Sequence, residues 1–218
     1  MNLGQEPTLM KSKFRVQKHG EVFTPQWVVD KMISIPGIKE KTEDVFATFL
    51  EPSAGEGAFL LAIENLKLRY VYNNYSKELW NVYALWALTS IYGIEFLQDN
   101  LIVARQNMLD LFATYYEMVN DRPISEETDI YRSAQTIITA NIVQGNTLTR
   151  KNRQGEDIVF SRWSQVSDAE RMVERTEFTY SSLFSESNQC KLEMFEQASE
   201  DIAPKYAITD IEQVWREE

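Results

Sequence analysis

Residues 49–59, Phe-Leu-Glu-Pro-Ser-Ala-Gly-Glu-Gly-Ala-Phe, constrain this chain more than any other stretch. The apolar run from Val45 to Leu50 reads as a buried strand that leads straight into Glu51. Pro52, Ser53, Ala54, Gly55, Glu56 and Gly57 then form a small-residue loop, and helical text opens at Ala58. Glycines let the backbone turn sharply and approach a ligand closely. A helix N-terminus offers free N–H groups to a carboxylate or phosphate. An acid at a strand end can accept hydrogen bonds from an ammonium or a ribose. Loops of this kind serve many nucleotides, and read alone this one is equally an ordinary strand-to-helix turn.

The rest of the chain repeats the alternation. A helix is expected from about 25 to 35, with Thr24 as N-cap, Pro25 in the first turn and a stripe of Trp27, Val28, Met32 and Ile33, closed by Pro36-Gly37. A second helical segment runs from about Lys77 to Thr89. Ser90 to Glu95 reads as a strand, and Asn100 to Phe112 as a helix. Residues 117–134 are polar and read as a linker. Ile137 to Val143 reads as a third strand, Lys151 to Glu156 as a hairpin turn and Asp157 to Trp163 as a fourth strand. Strands separated by helices imply a parallel sheet with ligands beyond its carboxyl ends. The expected divisions are a polar arm over 1–19, a main domain over 20–165, and 166–218 as its extension or a small appendage.

Three further motifs carry chemistry. Gly20-Glu21-Val22-Phe23-Thr24-Pro25 offers a hydroxyl, a helix start and an apolar wall. Tyr92-Gly93-Ile94-Glu95 ends a strand in an acid suited to a ribose diol, with Asp99 as the fallback; Ile94 or Phe96 is placed to stack on a base. The plainer reading of Glu95 is a helix-capping acid. Val143-Gln144-Gly145-Asn146-Thr147-Leu148 places an amide oxygen after a glycine.

Together these motifs resemble the SAM (S-adenosylmethionine)-dependent amino-methyltransferases. Residues 51–59 resemble motif I, (D/E)-P-x-x-G-x-G-x-F, and residues 20–25 resemble motif X, which precedes motif I in the γ group of DNA adenine-N6 methyltransferases. The resemblance implies a doubly wound, Rossmann-like α/β fold with a mostly parallel sheet and helices on both faces. It implies SAM as cofactor, held by Phe23, Thr24, Pro25, Glu51, Pro52, Ser53, Gly55, Gly57, Phe59, Glu95, Phe96 and Asn146. Glu51 would lie near the methionine moiety, Glu95 on the ribose and Asn146 on the adenine amino group. DNA adenine methylation in a restriction-modification or phage setting is the function implied.

The resemblance covers residues 18–148 and stops short of catalysis. The family's (N/D/S)-P-P-(Y/F/W) motif IV has no counterpart, because the chain contains no Pro-Pro pair. Ser161 and Trp163 are the candidate replacements, a polar group for the target amine and a ring to stack on a flipped base; Trp163 as a core aromatic is the alternative. A net charge of -11 disfavours unaided DNA binding, so a partner subunit bringing the nucleic acid, and a homo- or hetero-oligomer, enter the expectation. Two basic clusters, Lys11 to Lys18 and Arg150 to Arg153, are candidate phosphate contacts or simply solvated charge. A non-catalytic SAM-binding module is the second reading. The single histidine, His19, excludes a histidine metal cluster, and the lone Cys190 excludes an internal disulfide. No apolar run resembles a signal peptide or membrane span, and a cytoplasmic setting is expected.

Overall fold

In the computed structural model, the described residues are 24–166, 169–184 and 206–217; Phe23, His19, Cys190, the 1–19 arm and its basic cluster lie outside them. The described chain opens with α1 (Gln26–Ile33) and α2 (Ile38–Lys41). Three short strands follow, β1 (Phe49–Glu51), β2 (Ile91–Glu95) and β3 (Ile142–Gln144), paired parallel in that order. Each crossover is a pair of helices. The first is α3 (Ala58–Asn74) with α4 (Lys77–Thr89), and the second is α5 (Gln98–Asn120) with α6 (Asp129–Asn141).

Side chains alternate across a strand, so each strand divides between two cores. Phe49, Ile91 and Ile142 face the helices and join Leu60, Ile63, Leu85, Trp86 and Phe112. Leu50, Tyr92, Ile94 and Val143 face the other way, onto Ile158, Phe160, Phe178, Tyr180 and Leu183. That second face is covered by an antiparallel sheet of β4 (Val159–Gln165), β5 (Met172–Thr179) and β6 (Thr209–Asp210). Burying a side chain such as Phe160 contributes about 1.5–3 kcal/mol. The C-terminal 3-10 helix, Ile211–Glu217, packs on the helical side, where Ile211 and Val214 enter the same core as α6. Trp215 donates to Asp129 there at 3.1 Å.

The chain is therefore α/β with a three-stranded parallel sheet, and among the described residues the crossover α-helices pack on one face of it. Strands added consecutively in one direction, with crossovers of one hand, send every connecting helix to the same face. The opposite face needs apolar cover from elsewhere. The segment expected as a fourth strand supplies it from a separate antiparallel sheet.

Several element readings are also revised. Helix α1 begins after Pro25, which is itself the N-cap: Val28 and Val29 donate to the Pro25 carbonyl at 2.9 and 3.3 Å. Its buried residue is Val29, whereas Trp27 and Met32 are exposed. The run Val45–Leu50 is strand only from Phe49. The cause is Lys67, fully buried on α3, whose ammonium donates to the carbonyls of Asp44, Val45 and Ala47 and to Ser90 Oγ at 2.8–3.1 Å. Those carbonyls turn toward one point and cannot join a ladder. Burial lowers the Lys67 pKa to about 7, opposed by the nearby Asp44 charge.

The supposed linker 117–134 is mostly the end of α5 and the start of α6. The supposed strand 137–143 is mostly α6, capped by Thr128, whose hydroxyl accepts from Tyr131 N. Within α6, Ile130, Ala134, Ile137, Ile138 and Asn141 are buried at helical spacing. On α4, Trp80 and Trp86 are buried, with Trp80 against Phe112 and Tyr116 of α5.

Candidate functional site

Glu51, Glu95 and Gln144 stand side by side at the carboxyl ends of the parallel strands, Glu51 paired with Gly93 and Glu95 with Gln144. The loop leaving β1 is tied to β2 by its main chain. Ala54 N–H donates to the Ile94 carbonyl at 2.9 Å, and Gly55 N–H to Glu95 Oε2 at 2.7 Å. Gly57 N–H donates to the Ala54 carbonyl at 2.9 Å, closing the turn. Gly55 and Gly57 both adopt left-handed backbone, φ 56° and 93°. At Gly57 a Cβ would also stand 3.2 Å from the Ala104 Cβ of α5, so glycine is required on both counts. Asn107 on α5 donates to the Glu56 carbonyl at 3.2 Å and steadies the far side of the loop.

The two acids differ. Glu51 is half-buried, and burial raises its carboxyl pKa, partly offset by the Ser53 N–H that donates to Oε1 at 3.0 Å. Glu95 is only 6% exposed and accepts from Gly55 N and, at 2.8 Å, Leu97 N, with Asn100 Nδ2 at 3.5 Å. A carboxylate has about four acceptor positions. Glu95 therefore grips the loop and retains capacity for one further donor. Ile94 is buried in the second core, whereas Phe96 is 50% exposed, and of the two only Phe96 can meet a ligand ring.

Asn146 does not have its expected freedom. Its Oδ1 accepts from Leu148 N at 3.0 Å and Thr149 N at 3.3 Å, which takes up both lone pairs within its own turn. What the turn offers instead is Thr147, whose hydroxyl donates to the Pro52 carbonyl and joins the β3 loop to the glycine loop. Phe59 is half-buried and packs against the helical core.

A cleft of about 560 Å³ runs along the helical side of the glycine loop. Ser53, Ala54, Gly55 and Glu56 form one wall, Leu61 and Asn65 of α3 with Asn107 and Leu111 of α5 another, and Thr24 and Gln26 close an end. The fold thus brings Thr24, distant in sequence, to the same space as residues 53–56. Glu51, Glu95, Phe96 and Asn146 are not among the residues lining this cleft.

Ser161 and Trp163 sit elsewhere. Ser161 is buried in β4, where its Oγ accepts from Arg175 Nε at 3.0 Å and its carbonyl from the Tyr92 hydroxyl at 3.0 Å. Trp163 Nε1 donates at 3.0 Å to Asn141 Oδ1, and Asn141 Nδ2 donates at 2.9 Å to the Thr89 carbonyl. Asn141 and Thr89 precede β3 and β2, so Trp163 lies at the amino end of the parallel sheet, opposite the glycine loop. Sequence reasoning missed Asn107 and Thr147, since an isolated asparagine or threonine carries no motif. Among the described residues no cluster of His, Cys, Asp and Glu is suited to a metal ion, and no helix is long and apolar enough to cross a membrane. No protein-family model, no curated protein and no solved structure matches the chain.

Proposed function

We propose that this chain binds SAM at the carboxyl ends of its parallel strands, as the cofactor half of a DNA adenine-N6 methyltransferase-like protein built on a Rossmann-like unit. The observation that carries the reading is the convergence of Thr24 with Ser53–Glu56 on one cleft, beside a loop whose glycines are left-handed and gripped by Glu95. The residues fit the cofactor's parts unevenly. Glu51 suits an ammonium, Glu95 has an acceptor position left for a ribose hydroxyl, and exposed Phe96 suits an adenine face. Asn146 Oδ1 does not fit the adenine amino group, being occupied by its own turn.

When bound, SAM supplies an electrophilic methyl group with a neutral thioether as leaving group. The chain's own residues would position the donor: the glycine loop admits close approach, and Glu51 and Glu95 fix two ends of the molecule. Calorimetric titration with SAM tests the reading, with Gly55→Leu as the control. Saturable binding that is lost in the control supports it, and no binding by folded wild-type protein overturns it.

A second reading, a SAM-binding module whose partner holds the target base, is favoured by one observation. Both candidate base-holding side chains, Ser161 and Trp163, are engaged in the antiparallel layer, Trp163 at the far end of the sheet. Tritium transfer from labelled SAM to DNA, with and without Ser161→Ala, separates the two readings. Transfer lost in that variant would restore Ser161 as catalytic. Transfer unchanged by it would remove Ser161 from the chemistry.

A further inference from the structure

Two cations are buried among the described residues, and the fold treats them differently. Lys67 is surrounded by oxygens: three main-chain carbonyls and Ser90 Oγ accept from its ammonium. Arg175 on β5, only 7% exposed, meets far fewer. Its Nε donates to Ser161 Oγ at 3.0 Å, while its Nη1 is covered and has no hydrogen-bond partner. No carboxylate forms an ion pair with it among the described residues. Glu177 stands two residues on, on the same face of β5, yet its Oε1 accepts from the Tyr206 hydroxyl at 2.8 Å. The other close neighbours are aromatic. The guanidinium carbon lies 5.0 Å from the Trp163 ring centroid and 4.2 Å from that of Tyr206. Rings attract a cation but offer it no carboxylate oxygen.

Buried charges are ordinarily paired, and a covered donor without an acceptor is an exception that calls for one. The acceptor that Arg175 lacks is an anion. Its size and charge follow from the surroundings. Ser161 is buried and the two rings are half-buried, so the approach from solvent runs past the rings and admits only a small, flat molecule. A guanidinium fork matches the paired oxygens of a carboxylate. The Glu177 charge on the same face disfavours a second negative charge on the ligand. We propose that Arg175, walled by Trp163 and Tyr206, is a binding site for a small monocarboxylate of the formate or acetate type. Arg175 is the cross-strand partner of Trp163, which lies at the amino end of the parallel sheet. The site is therefore separate from the glycine loop and from the candidate cofactor cleft.

Thermal unfolding of the full chain in sodium acetate, against sodium chloride of the same ionic strength, tests the site. Acetate raises the wild-type melting midpoint saturably, by about 3–5 °C at about tenfold excess over its Kd. Arg175→Met keeps the apolar stem but removes the fork, and abolishes the shift. Glu177→Gln still accepts from Tyr206 through its amide oxygen, and tightens acetate binding about threefold by removing a neighbouring negative charge. That variant decides the matter if Arg175→Met fails to fold. Equal wild-type midpoints in the two salts would overturn the proposal, as would an acetate shift retained in Arg175→Met or an acetate affinity unmoved by Glu177→Gln. Saturable binding of inorganic phosphate in place of acetate would overturn the carboxylate assignment.

Discussion

The parallel and antiparallel halves use their polar residues in opposite ways. In the parallel half, two strand-end acids have capacity to spare: Glu51 is half-buried and Glu95 keeps an acceptor position. In the antiparallel half the candidate residues are engaged within the layer, although Arg175 keeps its Nη1 buried without a hydrogen-bond partner among the described residues. Ser161 meets Arg175 Nε, Arg175 lies over Trp163 and Tyr206, and Trp163 meets Asn141. A polar side chain that closes its bonds inside a layer stabilises that layer and has little left for a ligand. The difference teaches that residue type alone does not nominate a catalytic group in this chain; free hydrogen-bonding capacity does.

The largest expected effect comes from breaking the joint between the halves. Phe160→Ala removes a buried ring packed on Tyr92, Phe178 and Tyr180, at a cost of about 3–5 kcal/mol. Urea unfolding followed by circular dichroism and by tryptophan fluorescence reads it. Coincident transitions at lower urea would show that the halves fold as one unit. Separated transitions would show that the parallel half stands without its cover.

Lys67→Met comes next. It leaves three carbonyls without their donor and costs about 1–3 kcal/mol at neutral pH. It also tests the pH dependence. Folded Lys67 releases its proton from about pH 7, whereas in the unfolded chain it holds the proton to about 10.5. The unfolded state therefore binds more protons across that window, and this residue makes wild-type stability rise with pH between those limits. Glu64, buried with neither carboxylate oxygen hydrogen-bonded, has a raised pKa and acts in the opposite direction above its ordinary value. Comparing wild type with the methionine variant cancels Glu64, and the difference between their urea midpoints should shift steadily from pH 7 to 10. A constant difference would mean that Lys67 keeps its charge throughout.

Gly57→Ala imposes left-handed backbone on a residue with a Cβ and crowds Ala104, costing about 1–3 kcal/mol. SAM affinity should fall while the two sheets stay paired, read by calorimetry beside circular dichroism. Ser161→Ala is expected to be the mildest, at about 1 kcal/mol from the unpaired Arg175 Nε, with SAM binding unchanged. A calorimetric loss of SAM binding in folded Ser161→Ala would erase the contrast between the halves.

What was legible in the sequence follows the same division. The glycine loop, α4 and β2 were readable because cap residues, apolar runs and glycines act locally. Helix α6 was misread because Ile137, Ile138, Ile142 and Val143 make a β-branched run that mimics a strand. Its actual signal was Thr128 as N-cap and burial at helical spacing. The turn at 44–47 depends on Lys67, a lysine about twenty residues away, and no local pattern reports such a contact. Nor does any local signal assign β4 to a second sheet, because its alternation is the same whichever strand it pairs with. The candidate site was legible as a loop and two acids, but the closure of Asn146 on its own turn was not, since it depends on backbone geometry.

The consecutive strand order has one more consequence. Where a sheet reverses direction, helices part to either side and a ligand drops between two walls. Here every crossover helix goes to one face and the antiparallel sheet covers the other, so the space beyond the strand ends is flanked by unlike layers, helical on one side and stranded on the other.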